Sequence, residues 1–278
     1  MNRFCKRTVA NNKCRWSAQF FVMLLFMSMI GCQTYRNNPL RADAEPQPVS
    51  IPVYDAQRNG VAVSIIAADS LRTGTVALDI ELRDAATGER ITPDELTVKA
   101  SLASDTLFIA PTTAATAVEG KFRSFVFLPR AALWNFSIRF KRHDRIDSVG
   151  FVRSVGASWR CAEMSGTDSK RYLLFFSEPQ YPQVGVQDFL WFIYQERLTR
   201  DGDNLVAQYF PVSDFTVVFE TLMPSMGHGS EGNENPRHTQ NGAYRGRIGF
   251  NMKGDWRIDV WCTRGGSEIG RTFFFFIL

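Results

Sequence analysis

Apolar and polar positions alternate along much of this chain. Val76-Ala-Leu-Asp-Ile-Glu-Leu82 has the period of two expected of a half-buried β-strand. Short segments of similar character follow at Lys121–Leu128, Phe136–Phe140 and Val149–Val155. A second group comprises Arg171–Phe176, Asp188–Tyr194, Phe215–Leu222, Ala243–Phe250, Trp256–Cys262 and Arg271–Leu278. Turn formers separate them, at Asp201-Gly-Asp-Asn204, Lys253-Gly-Asp255 and Arg264-Gly-Gly266. Beyond residue 60 no long stretch carries helical periodicity. Short strands with turns at this spacing predict an all-β chain of immunoglobulin-like sandwiches.

The two groups of strands resemble each other. Glu119-Gly-Lys-Phe-Arg123 and Asn241-Gly-Ala-Tyr-Arg245 share Gly, an aromatic residue and Arg at one spacing. Trp134 and Trp256 each follow their glycine by 14 positions. The same offset of 122 pairs Phe151 with Phe273 and Val155 with Ile277. Upstream, Leu78–Leu82 aligns loosely with Phe189–Ile193 and Gly88 with Gly202, the second copy carrying an insertion around Asp201–Phe210. The expected organisation is a tandem duplication, with sandwiches over residues 61–157 and 158–278. Both tryptophans are expected to anchor cores.

The N-terminus differs. Residues 1–17 are basic, and Ala18–Gly31 are apolar apart from Gln19 and Ser28. Fourteen residues are short for a membrane span, which needs about 20, but suit the apolar region of a signal peptide. Met29-Ile-Gly-Cys32 resembles a bacterial lipobox, which makes residues 1–31 a lipoprotein signal and Cys32 the lipidated residue. Ile30 departs from the small residue commoner there, and a plain cleaved signal or an uncleaved anchor are the alternatives. Gln33 after the cysteine points to the outer membrane, facing the periplasm. Residues 32–60 carry Pro39, Pro46, Pro48 and Pro52 without apolar periodicity, and are expected to be a disordered tether.

The formal charge is +4, but five of the 32 basic residues lie within the first 31 positions, which hold no acid. The remaining 27 bases face 28 acids, so nothing suggests a nucleic-acid partner. Cys5 and Cys14 precede the lipobox, which leaves Cys161 and Cys262. In an exported domain these two are expected to pair. Separate buried thiols, or a soft-metal pair of Cys161 with Met164, are the other readings.

Candidate chemistry concentrates in Met223-Pro-Ser-Met-Gly-His-Gly229, between two expected strands. Thioether and imidazole donors suit copper better than calcium or magnesium. The candidate metal ligands are Met223, Met226 and His228, with His238 as an outer candidate. The competing reading gives Met223 and Met226 to packing and His228 to loop shape, so that the loop is structural or recognises a partner. The corresponding part of the first copy, Ser101–Ile109, has neither Met nor His.

Taken with Asn235-Pro-Arg-His238, Asn241-Gly-Ala-Tyr-Arg-Gly246 and Gly254-Asp-Trp-Arg-Ile258, that loop resembles the YtkA-like family, which is related to FixH-type proteins. The resemblance covers residues 170–278, and the first copy looks like a diverged relative without the motif. It implies an immunoglobulin-like fold and a link to copper handling and oxidase assembly. An oxidase or a metal transporter of the envelope would then be the partner.

Enzymatic chemistry has little support. There are three histidines and no Gly-x-Ser-x-Gly elbow, and Ser225 and His228 on one glycine-rich loop do not make a triad. Asp201-Gly-Asp-Asn204 reads as a turn in preference to a calcium site. The expectation is a lipid-anchored, non-enzymatic envelope protein. It is either a copper-handling or oxidase-assembly accessory or a metal-free interaction module.

Overall fold

The computed structural model describes residues 50–202 and 204–278. The expected signal peptide with Cys5 and Cys14, the lipobox-like segment with Cys32, and most of the expected tether lie outside these residues. The tether prediction needs one correction. Ile51–Arg58 is a strand, β1, antiparallel to β2 (Val61–Ala67), so the first sandwich includes residues expected in the tether. Pro52 does not prevent this, because among the described residues β1 is an edge strand with no second neighbour to receive a hydrogen bond.

The remaining strands of the first sandwich are β3 (Gly74–Asp84), β4 (Glu95–Leu102), β5 (Thr116–Val118), β6 (Lys121–Leu128), β7 (Leu133–Arg142) and β8 (Arg145–Ser154). The second has β9 (Cys161–Ser165), β10 (Arg171–Glu178), β11 (Gly185–Asp201), β12 (Asn204–Pro211), β13 (Thr216–Leu222), β14 (Glu234–His238), β15 (Ala243–Phe250), β16 (Asp255–Arg264) and β17 (Ser267–Ile277).

The duplication is visible in strand order. In the first sandwich a sheet ordered β1-β2-β3-β6-β5 packs on β4-β7-β8. In the second, β9-β10-β11-β15-β14 packs on β13-β16-β17. Both are immunoglobulin-like sandwiches whose inward residues form the cores. Trp134 and Trp256 are fully buried, one in each core, and each donates its indole N–H across 3.0 Å to the carbonyl four residues earlier, on Arg130 and Met252.

Two pairings from the sequence, Phe151 with Phe273 and Val155 with Ile277, are each a residue out of step. The β7–β8 and β16–β17 turns obey the offset of 122, with Arg142 opposite Arg145 and Arg264 opposite Ser267. Beyond the second turn the ladder passes from Thr263–Glu268 to Cys262–Gly270, leaving Ile269 as an extra residue. Past this bulge Phe151 corresponds to Phe274, since Phe136 opposes the one and Ile258 the other. Phe151 and Phe274 are buried, whereas Phe273 is 53% exposed and Ile277 80% exposed. A one-residue slip sends side chains to the opposite face.

The insertion in the second copy joins the sandwiches. β11 pairs with β15 from Gly185 to Phe192 and with β12 from Tyr194 to Asp201, so it runs on into a hairpin. That hairpin lies against the first sandwich. Ala207 belongs to its core and bridges Phe108, and the Tyr209 ring stands edge-on to Phe108 at 5.8 Å. Nearby, Phe127 of β6 packs among Phe175, Phe192 and Tyr194, with ring centroids 4.8–5.4 Å away. Thr73 and Ser158 hold the connecting segment by reciprocal hydrogen bonds of 3.1 and 2.7 Å.

The expected disulfide is absent: Cys161 and Cys262 are free. Alternation along β9 places Ala162 and Met164 in the second core and turns Cys161 outward, to the cluster between the sandwiches. Cys262 points into the second core. The thiols therefore lie on opposite faces of the β9 sheet. Met164 also faces away from Cys161, which removes the soft-metal pair.

Candidate functional site

The Met–His segment is a tight loop at the end of β13. The Met223 amide donates to the His228 carbonyl at 2.8 Å, and the Met226 and Gly227 amides return to the Met223 carbonyl at 3.1 and 2.8 Å. Gly227 has φ of 69°, which disfavours a side chain there. Gly229 crosses so close to β13 that a Cβ would sit 2.6 Å from the Thr221 carbonyl oxygen.

Polar residues that sequence reasoning did not single out anchor the loop. Thr221 and Ser230 share a hydroxyl hydrogen bond of 2.5 Å, and Ser230 donates to the Gly249 carbonyl at 2.6 Å. Asn233 donates to Thr221 Oγ1 at 3.0 Å and accepts from the Gly249 amide at 2.9 Å. Ser225 bonds Asp255 through both its hydroxyl and its amide, and these bonds hold that carboxylate below its usual range. Ser225 is thus engaged by Asp255, and the His228 ring by the Gly229 carbonyl, with no hydrogen bond between the two side chains. Ser, Thr and Asn between strands are common loop residues, so no signal in the sequence set these apart.

The candidate metal ligands do not converge. Met223 is only 5% exposed and belongs to the second core. Its Cε fills the space that a Cβ at Gly254 would need. Met226, at 61% exposure, projects outward. His228 is half-buried, with its ring edge-on to Trp256 at 6.4 Å and Nδ1 2.9 Å from the Gly229 carbonyl. His238 lies opposite Tyr244 at the far end of β15, while His228 shares a groove with Phe250 at the near end. Six residues of strand separate those ends, about 20 Å. The intervening segment does not fold back to join the histidines, because Glu234–His238 is committed to pairing with β15. His238 Nε2 is buried without a hydrogen-bond partner among the described residues, beside the Tyr244 ring at 5.3 Å.

The loop has a counterpart in the first sandwich. There the Leu102 amide donates to the Phe108 carbonyl at 3.0 Å, and Phe108 stands edge-on to Trp134 at 6.0 Å. Leu102, Phe108 and Trp134 thus correspond to Met223, His228 and Trp256.

Residues 169–260 match the YtkA-like family. The YtkA-like segment takes in β10 to β15, the Met–His loop and Trp256, and ends within β16. It leaves out the first sandwich. No curated protein matches the chain. Among solved structures it is similar to domains 5–6 of the S-layer protein SbsC. That overlap has 12% identity and a TM-score of 0.28, over 82% of this chain and 98% of that one. It is also similar to the Escherichia coli adhesin FdeC, at 13% identity and a TM-score of 0.22, over 74% of this chain and 60% of that one. A chimeric titin Z1Z2 tandem overlaps at 12% identity with a TM-score of 0.21, over 83% and 98%. At these scores the overlaps carry no argument, and the fold rests on the strand order within each sandwich.

Proposed function

We propose that this protein is a non-enzymatic accessory of the bacterial envelope, held by acyl chains on Cys32, that binds another protein through its second sandwich. The observation that carries this reading is the outward face of β13-β16-β17. Phe273, Phe275 and Ile277 are exposed along β17, with Val218 across the sheet. Arg257 lies over the Phe273 ring at 4.8 Å. The same positions on β8 of the first sandwich are Gly150, Val152 and Ser154. An exposed apolar stripe along one strand, bordered by charged residues such as Arg257 and Asp259 of β16, marks a contact site. The YtkA-like match and the lipobox resemblance support placing it at the envelope.

The test is migration of the full chain from membranes dissolved in mild detergent. The wild type should run in a complex larger than the monomer. Phe273→Ser/Phe275→Ser should run as monomer with unchanged melting, because both rings lie outside the core. Equal migration of the two proteins would sink the reading.

A second reading rests on His228. A proton on Nδ1, given to the Gly229 carbonyl at 2.9 Å, leaves the Nε2 lone pair available to a soft cation. With Met226 exposed nearby, these two residues would hold copper, without Met223 or His238. Titration of the full chain with Cu(I) should then show a site that Met226→Leu/His228→Ala loses. Identical binding by both proteins rules it out.

A further inference from the structure

Phe108 and His228 hold equivalent places, but their surroundings differ. Phe108 is covered: β12 crosses it, with Ala207 in a parallel bridge and the Tyr209 ring edge-on at 5.8 Å. Arg130 adds to the cover, its guanidinium 4.4 Å from the Phe108 ring. Around His228 the corresponding residues are open. Met252, the equivalent of Arg130, is 40% exposed, and Met226, Val184 and Val186 are exposed close by. A groove of about 510 Å³ runs from His228 past Val186 to Phe250 and Asn251. Among the described residues no strand lies over it.

We propose that this end of the second sandwich accepts an extended strand from a protein partner, docked as β12 docks on the first. The repeat relationship supplies the chemistry of the occupant. A small residue must pass over His228, as Ala207 passes over Phe108. An aromatic residue must follow two positions later, as Tyr209 does. Thioethers of Met226 and Met252 suit that ring, since sulfur makes favourable contacts with aromatic edges and adapts to different ligands. A second copy of this chain does not present such a strand. Its own β12 is seated, with Ala207 buried and Tyr209 donating at 2.8 Å to Glu196. This site is separate from the outward β17 face, so either proposal can fail alone.

The probe is a synthetic hairpin of residues 195–211, its ends joined by a disulfide to hold the strand conformation, labelled and titrated into the full chain in detergent. Pre-organisation removes much of the ordering cost. Saturable binding is expected below about 1 mM. Met226→Lys/Met252→Lys should weaken it at least tenfold, as should a probe with Ala207→Lys and Tyr209→Ser. Phe273→Ser/Phe275→Ser should leave it unchanged. Both methionines are exposed, so their variant should keep the wild-type near-UV spectrum. The proposal is overturned by no binding in that range, by equal binding of the altered probe, or by undiminished binding to the methionine variant. It is also overturned by a concentration-dependent dimer that the methionine variant abolishes, which would assign the surface to a second copy.

Discussion

Cys161 and Cys262 belong to one sandwich but face opposite sides of the sheet that contains β9. Each thiol is surrounded by its own apolar cluster, and burial pushes the pKa of each up to about 12. In the folded protein both are inert protonated thiols.

Alkylation at pH 8 should therefore leave Cys161 and Cys262 unmodified in the native protein and label both in denaturant without reductant. Peptide mass spectrometry reads the result. A linked Cys161–Cys262 peptide would contradict the structure. The same shift has a consequence at high pH. A raised folded pKa contributes stability that is intact below about 9 and is lost as pH rises toward about 12. Stability should thus decline over that window, and less steeply in Cys161→Ala than in wild type.

Phe127 should link the stability of the two sandwiches. It is fully buried against rings of the second sandwich, although it stands on a strand of the first. Phe127→Ala should cost about 3–5 kcal/mol and separate one denaturant transition into two. A single unshifted transition would show that the sandwiches are coupled elsewhere.

Met223 and Met226 should behave differently on substitution. Met223→Leu keeps the volume in the core and should cost less than about 1.5 kcal/mol, with no change in Cu(I) binding. Met223→Ala should cost about 2–5 kcal/mol. Met226→Ala should leave the melting temperature within about one degree, because a substitution on exposed surface changes little. Thermal melts of the three variants are sufficient.

Cys32→Ser should release the protein from membranes or leave an unprocessed precursor in them. Acyl chains contribute about 0.8 kcal/mol per buried methylene. Fractionation with intact-mass measurement distinguishes the outcomes. A processed variant that remains fully membrane-bound would remove the lipid-anchor proposal.

Strands and duplication could be read from the chain because their signals are local. Alternation in Val76–Leu82 reports one buried face, and the Glu119-Gly120 and Asn241-Gly242 turns share positive φ values of 50° and 77° against 47° and 75°. Trp134 and Trp256 were identifiable as core anchors for the same reason: each sits at one place in a repeated pattern. The facing of β17 could not be read. Four consecutive phenylalanines, Phe273–Phe276, carry no alternation, and the bulge at Ile269 leaves no residue signature.

The sequence by itself determined an all-β duplicated chain with a Met–His loop at a strand end. Tertiary structure alone decided that the loop gives Met223 to the core, holds His228 over Trp256 and leaves His238 at the far end of β15. It also decided that the insertion reaches across to the first sandwich, where Ala207 covers Phe108. The physical reason is range. A period of two is set by each residue and its neighbours in the chain, whereas ligand convergence and hairpin docking depend on surfaces far apart in sequence meeting in space.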